Sequence, residues 1–199
     1  NSLYGIANFE YKDILYFDLN YRNDWSSTLP EDNNSFGYYS AGVSYVLSNM
    51  LSLPEKISYL QVRFNAASVG NDTDPYQLNN TFQFNQNYGS STRVTNGNEL
   101  KNADLKPERL NAFEVGSEIW LYKNRLQFDV SAYQNTSINQ IIGRPISQAA
   151  GFASIIENGG EVRTQGLELR LSGTIVKTEK FKWNSSVNFS TYRSEVTKL

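Results

Sequence analysis

The sequence predicts an all-β fold: an antiparallel transmembrane β-barrel segment of about eight strands, with long loops at one end and short turns at the other. Three observations predict it. First, from Asp104 to Tyr133 the chain reads as a proline-marked start, a long strand, a tight turn at Tyr122–Arg125 and a second long strand. Phe113, Val115, Ile119 and Leu121 alternate with Glu114, Gly116 and Glu118. Leu126, Phe128, Val130 and Ala132 alternate with Gln127, Asp129 and Ser131. This period of two persists for about ten residues on each side of the turn, where soluble strands run about five or six. Second, aromatic residues make up 14% of the chain, led by 13 Tyr and 11 Phe, which suits interface girdles as well as strands. Third, connections alternate between short turns near residues 12, 123 and 178 and long polar loops at 23–35, 70–109 and 136–161.

Taken in order, Leu3–Tyr11 and Ile14–Arg22 alternate about a turn at Tyr11-Lys12-Asp13 and form a hairpin. Asn23–Ser35 is rich in Asn, Asp, Ser and Pro and reads as a loop. Alternation resumes at Phe36–Leu47, and Ser48–Ser58, with Pro54, is a connection that has room for one helical turn. Tyr59–Val69 alternates again. Gly70–Arg109 lacks long alternation, and a loop of that length is ordinary in an outer-membrane barrel; a short strand such as Thr81–Asn87 ornaments it. After the opening hairpin, Asn135–Gly160 reads as another long loop, marked by Gly143, Pro145, Gly151 and Gly159-Gly160. Val162–Thr174 and Trp183–Tyr192 close the series. Tyr11, Tyr21, Tyr45, Tyr59, Trp120, Tyr122 and Trp183 are girdle candidates, with core or lumen as the other reading for some.

Composition narrows the chemistry. The 199 residues contain no Cys and no His, so disulfides, zinc–thiolate sites and Ser–His–Asp or Cys–His catalysis are impossible within this chain. A net charge of −2 without a basic patch makes nucleic acid an unexpected partner. No apolar run of about eighteen residues is present, so no helix crosses a membrane. The ends carry neither a leader nor a closing signal and read as cuts within a longer protein.

Several motifs, in order, resemble one family. Arg22-Asn-Asp-Trp-Ser-Ser27 looks like a strand end followed by a loop start. Leu60–Asn71 ends in Gly-Asn, Asp104-Leu-Lys-Pro-Glu108 precedes Glu114-Val-Gly116, and Asn124-Arg-Leu126 forms a turn before the outgoing strand from Tyr133 to Ile142. Asn158-Gly-Gly-Glu-Val-Arg-Thr-Gln-Gly-Leu-Glu168 follows. Together they resemble TonB-dependent outer-membrane transporters, in particular the SusC/RagA-like branch of Bacteroidetes. The resemblance implies a barrel of twenty-two strands, the size of plugged outer-membrane transporters. Residues 1–199 would be a partial barrel, without the plug domain and the C-terminal strands. It implies import of glycans or peptides, a SusD-like surface lipoprotein as lid, coupling to TonB–ExbB–ExbD through the missing plug, and contact with outer-membrane lipid. It implies no cofactor, no metal and no enzymatic step.

Site expectations follow. Trp25, Asp72, Asp74, Tyr76, Phe82, Phe84 and Tyr88 fall in the loops and are candidates for contact with substrate or lid; loop-core packing is the alternative. Asn71-Asp-Thr-Asp-Pro-Tyr76 could offer oxygen ligands to Ca²⁺ but lacks calcium-loop spacing, so a capped turn is the stronger reading. Glu114, Glu118, Asp129, Glu168 and Arg170 lie on the polar side of the strands and are candidate lumen-lining charges. The rival reading is a soluble or surface-exposed carbohydrate-binding β-domain. It requires Phe113, Val115, Leu126, Phe128, Val130, Leu167 and Leu169 to point into one internal core.

Overall fold

Eight long strands form one antiparallel wall in a computed structural model that describes residues 1–198, with only the backbone at Tyr88. They are β1 (Ser2–Tyr11), β2 (Leu15–Trp25), β3 (Ser35–Val46), β4 (Ile57–Asn71), β8 (Glu108–Leu121), β9 (Leu126–Pro145), β10 (Ser154–Lys177) and β11 (Lys182–Lys198). Each pairs with the next in that order, and β1 and β11 end the sheet without meeting. The missing numbers lie in the loop between β4 and β8: a separate hairpin, β5 (Phe82–Tyr88) and β6 (Ser91–Asn96), and a two-residue strand, β7 (Glu99–Leu100).

Local chemistry sets the turns. Lys12 and Asp13, each at φ 54°, and Tyr122, Lys123 and Asn124, at 54°, 57° and 66°, adopt the left-handed conformation that tight hairpin turns require. Between β3 and β4 a short 3-10 turn, Leu47–Asn49, fulfils the expected helical turn.

Register then carries the alternation across the whole wall. One row runs Phe9, Phe17, Val43, Phe64, Val115, Ala132, Leu167 and Thr191 through all eight strands. The adjacent row, on the opposite face, runs Asn8, Asp18, Gly42, Asn65, Glu114, Tyr133, Gly166 and Tyr192. A one-residue slip anywhere would exchange the faces, so the pattern pins the register. From Phe113 to Leu121 the apolar face extends about 27 Å along β8, or about 21 Å along the axis of a barrel whose strands tilt about 40°. Tyr11 and Tyr45 flank Leu15 at the short-turn end of this face, and Tyr21 pairs with Tyr39 near the long-loop end. Those four occupy girdle positions. Tyr59 and Trp120 do not: they pair on the polar face, their ring centroids 4.8 Å apart, with Tyr59 donating to Gln61 and Trp120 to Glu118.

No second layer covers the apolar face. None of Phe113, Val115, Leu126, Phe128, Val130, Leu167 and Leu169 is buried, and Phe64 and Phe113 are 55% and 59% exposed. The buried apolar cluster lies instead at the long-loop end: Leu29, Phe36, Leu105 and Ile156, with Tyr38, Leu78 and Ile141 packed against it. Among the described residues these side chains form no internal core of the kind a soluble binding domain demands, and that reading is corrected.

One loop expectation is corrected as well. The stretch 136–161 is mostly strand: β9 runs to Pro145 and β10 starts at Ser154, leaving only 146–153 as connection. Side-chain alternation fades there because neither face meets hydrocarbon beyond the apolar band, whereas the backbone ladder continues regardless. The Gly70–Arg109 loop holds the expected strand near Thr81–Asn87 and two further ones, β6 and β7.

These faces make a direct prediction for the intact protein. Val115→Arg places a charge on the outward face near mid-band and should destabilise folding in lipid vesicles by about 2–4 kcal/mol. Asn20→Lys on the polar face should change it by less than about 0.5 kcal/mol. Denaturant titration of both variants checks this, and equal effects would contradict the assignment of faces.

Candidate functional site

The polar face is built around Arg63. Its guanidinium forks onto Asp129, Nη1 to Oδ2 at 2.9 Å and Nη2 to Oδ1 at 3.0 Å, while Nε lies 3.5 Å from Glu114 Oε1. Arg63 is on β4, Glu114 on β8 and Asp129 on β9, so one side chain ties three strands. Gly116 makes the crossing possible. It faces Arg63 across the β4–β8 ladder, and a Cβ there would lie 2.6 Å from the guanidinium carbon. Gly166 does the same for Tyr133, whose ring would meet an added Cβ at 2.4 Å. The glycines thus let large polar side chains lie flat on the wall.

The five sequence-predicted polar-face residues all fall on this side. Glu118 accepts from Trp120 Nε1 at 2.7 Å and pairs opposite Asp129. Arg170 pairs opposite Asp129, and Glu168 opposite Ser131; both are exposed. Arg63, not one of those five, is the group that brings Glu114 and Asp129 together. Its position opposite a glycine was the available signal.

At the long-loop end, Asp24, Tyr38 and Arg22 form a second polar cluster. Tyr38 donates to Asp24 Oδ2, and Arg22 Nε donates to Oδ1 at 2.8 Å. The Tyr38 hydroxyl and the Arg22 guanidinium hold the Asp24 carboxyl below the usual range. These residues line a polar concavity of about 560 Å³ together with Trp25, Asn71 and Asp72. Asp72 does not reach into solvent as a free ligand. Its Oδ2 accepts from Ser26 Oγ at 2.5 Å and Thr28 Oγ1 at 3.2 Å, which ties the start of the long loop to the β2–β3 connection. Both donors come from that connection, so these bonds anchor the Asn71–Tyr76 turn from outside.

The remaining loop candidates are presented outward. Asp74 is exposed, Trp25 is 45% exposed, and Tyr76, at φ 66°, is 86% exposed. Phe82 and Phe84 share one face of the β5–β6 hairpin with Val94, all exposed. Tyr88 pairs with Ser91 through its backbone, and its side chain lies outside the described residues. The structure does not bring these aromatics together with the Arg63 cluster: they stand on the loops, it stands on the wall.

A clasp that the sequence did not disclose joins the motifs. Asn158 Nδ2 donates to Lys106 O at 2.8 Å and to Asn139 O at 3.0 Å, while its Oδ1 accepts from Lys106 N at 2.8 Å. Glu108 Oε1 accepts from Ile141 N at 2.8 Å, and Leu105 between them is fully buried. The Asp104–Glu108 and Asn158–Glu168 motifs are therefore two halves of one contact.

The strand-spanning fork is testable by a double-mutant cycle in the intact protein. Arg63→Met and Gly116→Val should each cost on the order of 1–2 kcal/mol, after allowance for partial exposure of the pair. The double variant should cost little more than the larger single one, because both remove the same contact. Strict additivity would show that Arg63 does not depend on Gly116.

With that geometry in place, comparison with known proteins is informative. The family model described as TonB dependent receptor-like, beta-barrel matches residues 1–198. TonB-dependent receptors P39 and P3 of Formosa agariphila are 29% and 25% identical over 206 residues, covering all of this chain and 19% and 20% of theirs. The chain spans about a fifth of the length of these curated relatives. The RagAB peptide importer in its closed-closed state superposes with a TM-score of 0.92 at 27% identity, over all of this chain and 22% of that one. The siderophore receptor PirA from Pseudomonas aeruginosa, at 18% identity and a TM-score of 0.63, covers 98% of this chain and 34% of its own and shares the fold.

Proposed function

The chain belongs to the TonB-dependent receptor β-barrel family, which places its strands in the outer membrane, and we propose that it forms part of the wall of an active importer of glycans or peptides. The observation that carries this reading is the two-faced wall: an apolar row from Phe9 to Leu167 on one side of seven strands, and on the other a polar face on which Arg63 bonds Glu114 and Asp129. A lipid-facing surface and a wet lumen require that arrangement together.

In this reading Glu114, Glu118, Asp129, Glu168 and Arg170 line the lumen, with Arg63 fixing the geometry of Glu114 and Asp129. A plug domain and further strands, outside residues 1–199, complete the barrel and couple it to TonB–ExbB–ExbD. The loops 26–34, 72–107 and 146–153 face the cell exterior. There Trp25, Asp74, Tyr76, Phe82, Phe84 and Tyr88 contact substrate or a SusD-like surface lipoprotein. Likeness to RagAB, a peptide importer by its description, supports a lipoprotein lid and favours peptides among the substrates. Exposed aromatics on a two-stranded hairpin also support a covering partner, since a lone hairpin is marginally stable in water. No residue here performs covalent chemistry: substrate is bound, sequestered and passed.

Deletion of the full-length gene should abolish growth on one class of oligomer, glycan or peptide, supplied as sole source, and leave growth on monosaccharides and amino acids intact. Unchanged growth on every oligomer would contradict import. Tyr76→Ala and Phe84→Ala together should weaken capture of the cognate lipoprotein about tenfold, the loss of one interface hot spot. Undiminished capture would remove these residues from the interface.

A further inference from the structure

β9 and β10 rise beyond the end of β8. The last β8–β9 pair is Arg109↔Ile138. Ile138 pairs with Glu161, which marks the level on β10 at which the β8 support ends. Directly above, the β9–β10 ladder breaks for one step: Ile138↔Glu161 and Gln140↔Gly159 pair, whereas Asn139 and Gly160 do not. Both unpaired residues are left-handed, Asn139 at φ 55° and Gly160 at φ 75°. Two opposed left-handed residues are a place where a ribbon can bend with few hydrogen bonds lost. Above it, 140–145 pair with 154–159 as an antiparallel arm beyond β8.

Three contacts hold that arm down over the top of β8. Asn158 clasps the Lys106 backbone and the Asn139 carbonyl, Glu108 caps the Ile141 N–H, and Ile141 and Ile156 pack with Leu105, Leu29 and Phe36. The arm also carries the long loop. β7 pairs in parallel with Ser154 and Ile155, and Asn98 O accepts from Ala153 N at 2.8 Å.

We propose that the β9–β10 arm is a jointed strap, pivoting at Asn139 and Gly160 and latched by the Asp104–Glu108 segment through Asn158. Opening the latch swings the arm tip, and with it β7 and the β5–β6 hairpin loop, away from the top of β8. The consequence for transport, a wider extracellular mouth, rests on the importer reading; the mechanics do not.

The test uses the intact receptor in lipid vesicles without substrate. Spin labels at Gln148→Cys, on the arm tip, and Lys123→Cys, in the β8–β9 turn, report the swing by pulsed-resonance distances; this segment contributes no other thiol. Asn158→Ala should add a second, displaced population, and Ile156→Ala should do so independently. Should both variants fail to insert, hydrogen exchange on the unmutated receptor decides. Amides of 140–145 and 154–159 should exchange together and about tenfold or more faster than those of 126–138. A single, unshifted distance distribution in either inserted variant, or equal exchange in arm and wall, would overturn the strap. Uptake assays address the importer reading separately, because neither measurement involves cargo.

Discussion

Everything in this chain depends on one constraint: a strand in hydrocarbon must pair every backbone N–H and C=O with a neighbouring strand while turning alternate side chains to lipid. The first demand makes a continuous sheet, here with each long strand paired to the next from β1 to β11. The second makes the register unforgiving, since the row from Phe9 to Thr191 keeps one face only if each of seven ladders is in step. Neither the tight left-handed turns nor the glycines are decorative in this setting. The turns fix register at one end, and Gly116 and Gly166 allow Arg63 and Tyr133 to lie across neighbouring strands on the wet face.

Beyond the apolar band the constraint relaxes, and the structure changes character. Packing there is ordinary soluble packing: Leu105 is fully buried among Leu29, Phe36 and Ile156, and side-chain amides and carboxylates satisfy loop backbone. Arg144 and Glu157 add an exposed ion pair on the arm, with Nε to Oε1 at 2.5 Å, which holds the Glu157 carboxyl below the usual carboxylate range. A depressed carboxylate pKa contributes stability that is present above the ordinary range and lost as pH falls through the folded value. The arm is thus weakened by acid, not by base, to the small extent that an exposed pair allows.

This division explains what the sequence disclosed. The eight wall strands were legible because hydrocarbon on one side and water on the other impose period two, as at Phe113–Leu121 and Leu126–Ala132. The polar-face placement of Glu114, Glu118, Asp129, Glu168 and Arg170 followed from the same count. The strand continuation of β9 to Pro145 was not legible in the alternation, because Asn135–Gln140 carries Ile138 as its one apolar side chain; the motif resemblance alone ran the strand to Ile142. Tyr59 and Trp120 counted as girdle residues on composition, yet the β4–β8 register turns them to the polar side. The Asn158 clasp was equally hidden, since its partners are backbone atoms fifty-two and nineteen positions away.

The most direct test of the account is which medium each face of β8 and β9 touches. Single nitroxide labels at Val115→Cys, Phe128→Cys, Glu114→Cys and Gln127→Cys in the vesicle-embedded receptor would report collision with lipid-soluble oxygen and with a water-soluble nickel chelate. The account predicts that Val115 and Phe128 collide mainly with oxygen and Glu114 and Gln127 mainly with the chelate. Shielding of Val115 and Phe128 from both reagents would mean that the apolar face is an internal core, and the transmembrane wall would be contradicted.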